Sequence, residues 1–165
     1  MKNITTTLCA ALLTLSSTQA FSQEAKAGAA EEVKAEVKFD RELIVTCNDT
    51  MQFDIKAIDV KVGETVKITL KNIGKIPKIA MGHNLVILKA GSNFMAFAIK
   101  ASAARETEYI PADPESKAMI LAYTKLLGPD ETDSLIFKAP AAGNYEFLCS
   151  FPGHFALMKG AITAK

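Results

Sequence analysis

Alternation of apolar and polar positions begins near Val37 and runs to the end of the chain. Leu43-Ile44-Val45-Thr46 predicts a first strand. Phe53 and Ile55, then Ile58, Val60 and Val62, recur at every second position, the period that sends one face of a strand to a core. Gly63-Glu64 marks a turn, and Val66-Lys67-Ile68-Thr69-Leu70-Lys71 alternates cleanly, one face buried and one wet. Asn84-Leu85-Val86-Ile87-Leu88 reads as a more fully buried strand. Further strands are predicted at Ser134-Leu135-Ile136-Phe137, from Tyr145 to Cys149, and from Gly160 to Ala164. Short strands separated by turn signals imply an all-β sandwich.

One stretch breaks the rhythm. Phe94, Phe97, Ala98, Ala101 and Arg105 have helical spacing in an alanine-rich run, and Pro111 and Pro114 follow. This predicts a helical flap outside the sandwich. The N-terminal residues also differ from the rest. Met1 to Ala20 carries one charge, Lys2, then the apolar run Leu8 to Leu13 and a small-residue cleavage site at Thr18-Gln19-Ala20, the organisation of a secretory signal. The run is too short to span a bilayer, so no membrane span is expected in the mature chain. Residues 21–38 are rich in Ala, Glu and Lys and read as a mobile N-terminal tail. That leaves 39–165 as one domain, of a size and apolar content (49% hydrophobic over the whole chain) that can bury one core.

Charge adds an exclusion. The 19 basic residues less Lys2 match the 18 acidic ones, so the mature chain is formally neutral. With no basic tract or aromatic-basic interleaving, nucleic acid is not an expected partner.

The chemistry concentrates in Cys149-Ser150-Phe151-Pro152-Gly153-His154-Phe155-Ala156-Leu157-Met158. A thiol, an imidazole and a thioether sit five and then four positions apart. Pro152-Gly153 forces a turn that folds His154 and Met158 back towards Cys149. A second histidine, His83, lies far upstream. Two imidazoles and a thiolate with a weak axial thioether describe a blue-copper site. Zinc also takes Cys and His but gains little from a thioether, so Met158 favours copper. Singly, each residue has a plainer reading: Cys and Met as core filler, His as a hydrogen-bonded ring. The spacing on a strand-turn unit is what sets them apart.

Asn48-Asp49-Thr50-Met51-Gln52-Phe53, Pro77 to Asn84, Thr124-Lys125-Leu126-Leu127-Gly128 and Cys149 to Gly160 together resemble the azurin family of blue-copper cupredoxins. The Cys-x4-His-x3-Met spacing is specific to azurin-type loops. The resemblance spans roughly residues 40 to 165. It implies a Greek-key, cupredoxin-like β-sandwich with a helical flap insertion. It also implies one type 1 copper ion cycling between Cu(I) and Cu(II), held by His83, Cys149 and His154, with Met158 on the axis and the Gly82 carbonyl opposite. Around these ligands it implies that the Asn84 side chain ties its loop to Ser150 near the sulfur, that Phe151 follows the thiolate, and that the Asn48 carbonyl fixes the His83 ring. It turns Met51, Ile76, Pro77, Ala80, Met81, Phe151, Pro152 and Ala156, which sequence alone assigns mostly to the core, into an exposed apolar docking patch.

The function so implied is single-electron shuttling in the periplasm. The implied partners are redox proteins such as a c-type cytochrome and a periplasmic reductase or oxidase. A copper carrier or storage protein is the alternative. Carriers use flexible, exposed Cys or Met clusters, whereas these donors are spread over a sandwich. A copper enzyme needs a second, open metal site, and both histidines of the chain are already used. Two departures from the family stand out. The family's N-terminal disulfide positions fall near Arg41 and Glu64, so that bridge is expected to be missing; Cys47, without an evident partner, reads as a buried free thiol, with a reactive or dimer-forming thiol as the alternative. Two further histidine positions fall at Asn72 and Tyr123, side chains that do not titrate between about pH 5 and 8 as a histidine does.

Overall fold

A computed structural model of the protein describes residues 37–165. The expected signal at 1–20 and most of the expected tail at 21–38 lie outside the described residues. The chain forms β1 (Arg41–Asn48), β2 (Gln52–Phe53), β3 (Ala57–Val60), β4 (Thr65–Asn72), α1 (Lys78–Met81), β5 (Val86–Leu88), α2 (Phe94–Ala103), α3 (Pro114–Met119), β6 (Ile120–Tyr123), β7 (Thr132–Lys138), β8 (Gly143–Leu148) and β9 (Lys159–Ala164). One sheet has the order β2-β1-β4-β7, and the other the order β3-β9-β8-β5-β6. The chain passes repeatedly between the two sheets. This explains why β1 lies parallel to β4 and β3 parallel to β9, while the remaining pairs are antiparallel.

The alternation read from the sequence is the alternation of the sheets. Val45 and Cys47 of β1, Val66, Ile68 and Leu70 of β4, and Tyr145 and Phe147 of β8 point into a shared core. Phe53 and Phe147 meet there with ring centroids 5.6 Å apart. Val62 departs from the expectation. It lies past the end of β3 and is 46% exposed. The flap forms as expected at α2, with the Asn93 side chain accepting the Ala96 N–H as N-cap. It adds α3, where Asp113 caps and Pro114 opens the helix. A second cluster, Phe97, Ala98 and Ala101 against Val86, Leu88 and Leu148, seats the flap on the outer face of the second sheet.

Arg41 and Glu64, near which the resemblance places the family's disulfide, make an ion pair. Arg41 Nε donates to Glu64 Oε1 at 2.9 Å, and Arg41 Nη2 donates to the Asp59 carbonyl at 2.6 Å. A partly exposed pair contributes up to about 1 kcal/mol, less than the about 2–4 kcal/mol typical of a disulfide. Cys47 and Cys149 are both buried and unpaired. Cys47 donates to the Lys71 carbonyl at 3.6 Å, and burial pushes its thiol up to about 12.

Candidate metal centre

Four connections meet at one end of the sandwich: 49–51, 73–85, 124–131 and 149–158. Backbone hydrogen bonds fasten them together. Ile73 N–H donates to the Cys47 carbonyl at 2.9 Å. Asp49 accepts the Lys75 and Ile76 N–H groups at 2.8 and 3.3 Å. His83 makes an antiparallel bridge with Leu127, its N–H donating at 3.0 Å and its carbonyl accepting at 2.7 Å. Thr124 Oγ1 accepts the Leu85 N–H at 3.0 Å. The 124–128 segment carries the resemblance in the sequence without a stated role. It is the clamp that holds the His83 strand in place.

The 149–158 loop closes on itself. Cys149 N–H donates to the Met158 carbonyl at 3.0 Å, His154 N–H to Phe151 at 3.0 Å, and Met158 N–H to His154 at 2.7 Å. Gly153 takes φ 80°, the left-handed conformation that the turn requires. The donor atoms of His83, Cys149 and His154 lie within 4.8 Å of one another. Cys149 Sγ is 3.7 Å from His154 Nδ1, and the two imidazole centroids are 5.0 Å apart. All three side chains and Met158 are buried.

The Asn84 side chain bridges two loops. Its Nδ2 donates to Ser150 Oγ at 2.7 Å, and its Oδ1 accepts the Ser150 N–H at 2.8 Å. Gly82 is extended, at φ −68° and ψ 146°, so positive φ is not its reason for being glycine. Space is: a Cβ there would come 2.8 Å from the Lys78 carbonyl and 3.0 Å from the Leu126 side chain. Asn48 lies on the adjoining turn, where its carbonyl accepts the Met51 N–H at 3.0 Å. Both ring nitrogens of His83 are buried without a hydrogen-bond partner, so the expected bond from the ring to the Asn48 carbonyl is not formed; that carbonyl is taken by the Met51 N–H across the turn.

Of the expected patch, Ile76, Pro77, Ala80, Pro152 and Ala156 are exposed, and Met51 and Met81 are half-buried. Phe151 is corrected. It is only 8% exposed, because the Tyr109 ring packs edge-on against it at 5.0 Å and the His154 ring lies 4.6 Å away. The sequence also missed Ile79 and Leu157, at 77% and 53% exposed. Apolar residues beside ligand-bearing turns were a signal for both.

The donors fit a soft metal ion. A buried imidazole with two unpartnered nitrogens is costly unless something binds it, and His83 stands beside a thiol and a second imidazole. Burial pushes the Cys149 thiol up to about 12, opposed by backbone N–H groups of Asn84 and Phe151. It depresses His154 to about 4, with the neighbouring His83 adding to the fall. It also lowers His83, opposed by the Asp49 carboxylate.

These shifts set the pH stability of the metal-free protein. Unfolding frees each histidine to take a proton below its ordinary value near 6.5. The folded state refuses that proton, so the stabilisation is present above pH 6.5 and is lost as pH falls towards 4. His154 alone contributes about 3 kcal/mol to that loss. The buried thiols act oppositely, with stability lost as pH rises from about 8.5 towards 12. Urea midpoints of metal-free protein at pH 7, 5 and 4 check the acid arm. Copper-loaded protein should show a flatter arm, since bound imidazoles stay neutral.

The family model for copper binding proteins of the plastocyanin/azurin family matches residues 27–165. The chain belongs to the plastocyanin/azurin family. It is 40% identical over 125 residues to the azurin of Pseudomonas fluorescens biotype C, covering 73% of this chain and 95% of that protein. It is 45% identical over 122 residues to outer membrane protein H.8 of Neisseria gonorrhoeae, covering 72% of this chain and 64% of that longer protein. Among solved structures it resembles auracyanin from the photosynthetic bacterium Roseiflexus castenholzii, with a TM-score of 0.66 and 34% identity over 75% of this chain and 96% of that one. An azurin from Methylomonas sp. strain J gives a TM-score of 0.65 at 28% identity, covering 76% and 98%. As in other members of the plastocyanin/azurin family, the cofactor is type 1 copper and the chemistry is blue-copper electron transfer. Members of the family are electron carriers. Among the described residues, no helix is long and apolar enough to cross a membrane.

Proposed function

We propose that this protein shuttles single electrons between periplasmic redox partners. In this reading His83, Cys149 and His154 would hold the copper, with Met158 and the Gly82 carbonyl as weaker further ligands. The observation that carries it is the buried set of two imidazoles and a thiol with donor atoms within 4.8 Å. When bound, copper supplies a one-electron couple that soft sulfur and imidazole serve in both oxidation states. The protein's residues do the rest. The Asn84–Ser150 bridge and the His83–Leu127 clamp hold the ligands in fixed places, so little rearrangement accompanies electron transfer. Burial of all four side chains keeps bulk water from the site. Residues 1–20 act as the export signal, 21–38 as a tail and 39–165 as the single cupredoxin domain. The separation of Glu36–Lys165 as a compact unit supports the last boundary. Visible absorption of copper-loaded protein tests the function. An intense band with reversible one-electron redox is expected, whereas rapid loss of copper to a weak chelator would favour the carrier reading.

Partners such as a c-type cytochrome and a periplasmic reductase or oxidase would dock on the apolar surface around Pro152 and Ala156, with Met51 and Met81 at its edge. The formally neutral mature chain gives little electrostatic steering. Met81→Lys should therefore slow electron self-exchange by roughly tenfold or more, a cost of one unpaired charge at an apolar contact, with little change in potential. Equal self-exchange rates in the two proteins would rule out this docking surface.

The potential should also be nearly flat from pH 5 to 8. Asn72 is buried where the family can carry a histidine. Its Oδ1 accepts the Gly74 N–H at 2.9 Å, and its Nδ2 donates to the Leu127 carbonyl at 3.4 Å. Tyr123, at the other such position, is 50% exposed. The chain has no histidine beyond the two ligands, so no ordinary imidazole is available to couple proton uptake to reduction. Cyclic voltammetry across that range checks this, and a slope centred near pH 7 would reveal a coupled proton site.

A further inference from the structure

The flap does more than cover a sheet. Between α2 and α3 the chain makes a single 3-10 turn, Arg105–Thr107, and then places two successive non-glycine residues in the left-handed region, Glu108 at φ 52° and Tyr109 at φ 65°. That conformation is unfavourable for side chains with a Cβ and persists only where surrounding contacts enforce it. The contacts are specific. Tyr109 N–H donates to the Ala104 carbonyl at 2.8 Å, Glu108 N–H donates to the Arg105 carbonyl at 3.1 Å, and the Glu108 carboxylate pairs with Lys78 of α1 at 3.0 Å. The strained turn is thereby tied to the helix that leads into Gly82 and His83.

Its product is the position of one ring. Tyr109 stands edge-on to Phe151 at 5.0 Å and 67°, and Phe151 in turn lies 4.6 Å from His154. Phe151 touches the site twice more through its backbone. Its carbonyl accepts the His154 N–H at 3.0 Å, and its N–H faces the Cys149 sulfur. Within the 149–158 loop Pro152, Gly153 and Ala156 are exposed, Leu157 is 53% exposed and Phe155 packs against Phe94 of α2 at 6.5 Å, so the aromatic ring that meets Phe151 from outside the loop is Tyr109.

We infer that Tyr109 is a positioning residue of the copper centre: the strained Glu108-Tyr109 turn presses its ring onto Phe151 and so holds the His154 loop closed over the metal. This rests on the assignment of Cys149 and His154 as copper ligands. The flap thus acts as a brace for the 149–158 loop, and its stiffness sets how readily that loop opens to release metal.

The test uses the full mature chain with Tyr109→Ala, Tyr109→Leu and Tyr109→Phe. Tyr109→Leu keeps most of the apolar volume, so the flap still packs if alanine loosens it. Two readouts are needed: the rate of copper loss to excess chelator, and amide hydrogen exchange at His154 and Met158 in metal-free protein. Loss of one edge-to-face aromatic pair predicts copper loss faster by about 2- to 10-fold in Tyr109→Ala and Tyr109→Leu, with parallel deprotection of the two amides. Exchange in β1 and β4 should be unchanged, and Tyr109→Phe should match the parent. Parent rates in both the Ala and Leu variants would overturn the inference, as would a Phe variant that behaves like Ala. If the parent protein itself forms no intense visible band with copper, the ligand assignment has failed, and the amide exchange of metal-free protein still reads the brace alone.

Discussion

Replacing Cys149 by serine abolishes the intense visible absorption of the copper-loaded protein and leaves the sandwich folded. The absorption belongs to the copper–thiolate bond, and a serine hydroxyl offers neither a soft donor nor an anion at neutral pH. Burial already holds the Cys149 thiol at about 12 in the metal-free state, so copper uptake at pH 7 must displace a proton from sulfur. The backbone N–H groups of Asn84 and Phe151 that face the sulfur are well placed to stabilise the thiolate. The fold has little stake in that atom. Cys149 is one buried member of a core that draws on β1 to β5 and β7 to β9, and its N–H bond to the Met158 carbonyl is a backbone contact that serine keeps. The metal-free variant should unfold within about 2 kcal/mol of the parent, the range for one altered buried polar group. Absorption spectra, circular dichroism and urea midpoints together check the claim. A serine variant that stays intensely coloured would end the assignment of Cys149 as the thiolate ligand.

The largest expected stability loss comes from a residue two positions after Met158. Gly160 of β9 lies opposite Phe147 of β8. A Cβ at Gly160 would run into the Phe147 ring and the Lys56 carbonyl. Neither can yield easily. Phe147 is fully buried against Phe53, and the Lys56 carbonyl accepts the Ala161 N–H at 2.9 Å. Gly160→Ala must therefore shift backbone, at a cost of about 3 kcal/mol, the upper part of the overpacking range. For a domain of this size the melting temperature should fall by roughly 10 °C. Phe147 and Gly160 flank Cys149 and Met158, so the same shift should spread the ends of the copper loop and speed metal loss. Thermal unfolding of metal-free and copper-loaded protein measures both effects. A melting temperature within about 2 °C of the parent would show that the strands absorb the methyl group without strain.

The sandwich was legible in the sequence because its strands are half-buried. The alternation of Val66 to Lys71 and of Phe53 to Val60 is a direct imprint of one wet and one dry face. The flap was legible because its helix changes the period. Three elements escaped notice. β6 has intermediate or exposed positions throughout and so carries no alternation. α1 and α3 have only four and six residues, too few for a period to show. The parallel pairing of β1 with β4 also left no trace, since parallel and antiparallel neighbours bury the same side-chain face.

The donor inventory and the turn that gathers three of its members are local properties of Cys149 to Met158, and the sequence determined them. The fold family followed from the same residues together with the strand pattern. Tertiary structure alone decided which distant residues complete the site and hold it. His83 meets the 149–158 loop because β5 pairs with β8, and Leu127 clamps His83 across a bridge of 44 residues' separation. Phe151 shows the division in one side chain. Its place beside Cys149 is written in the chain. Its burial depends on Tyr109, which is 42 residues away in sequence and meets it only through the flap. Periodicity reports the faces of an element to its nearest core, whereas contact between loops is set by the summed path of every strand between them. No local pattern encodes that sum.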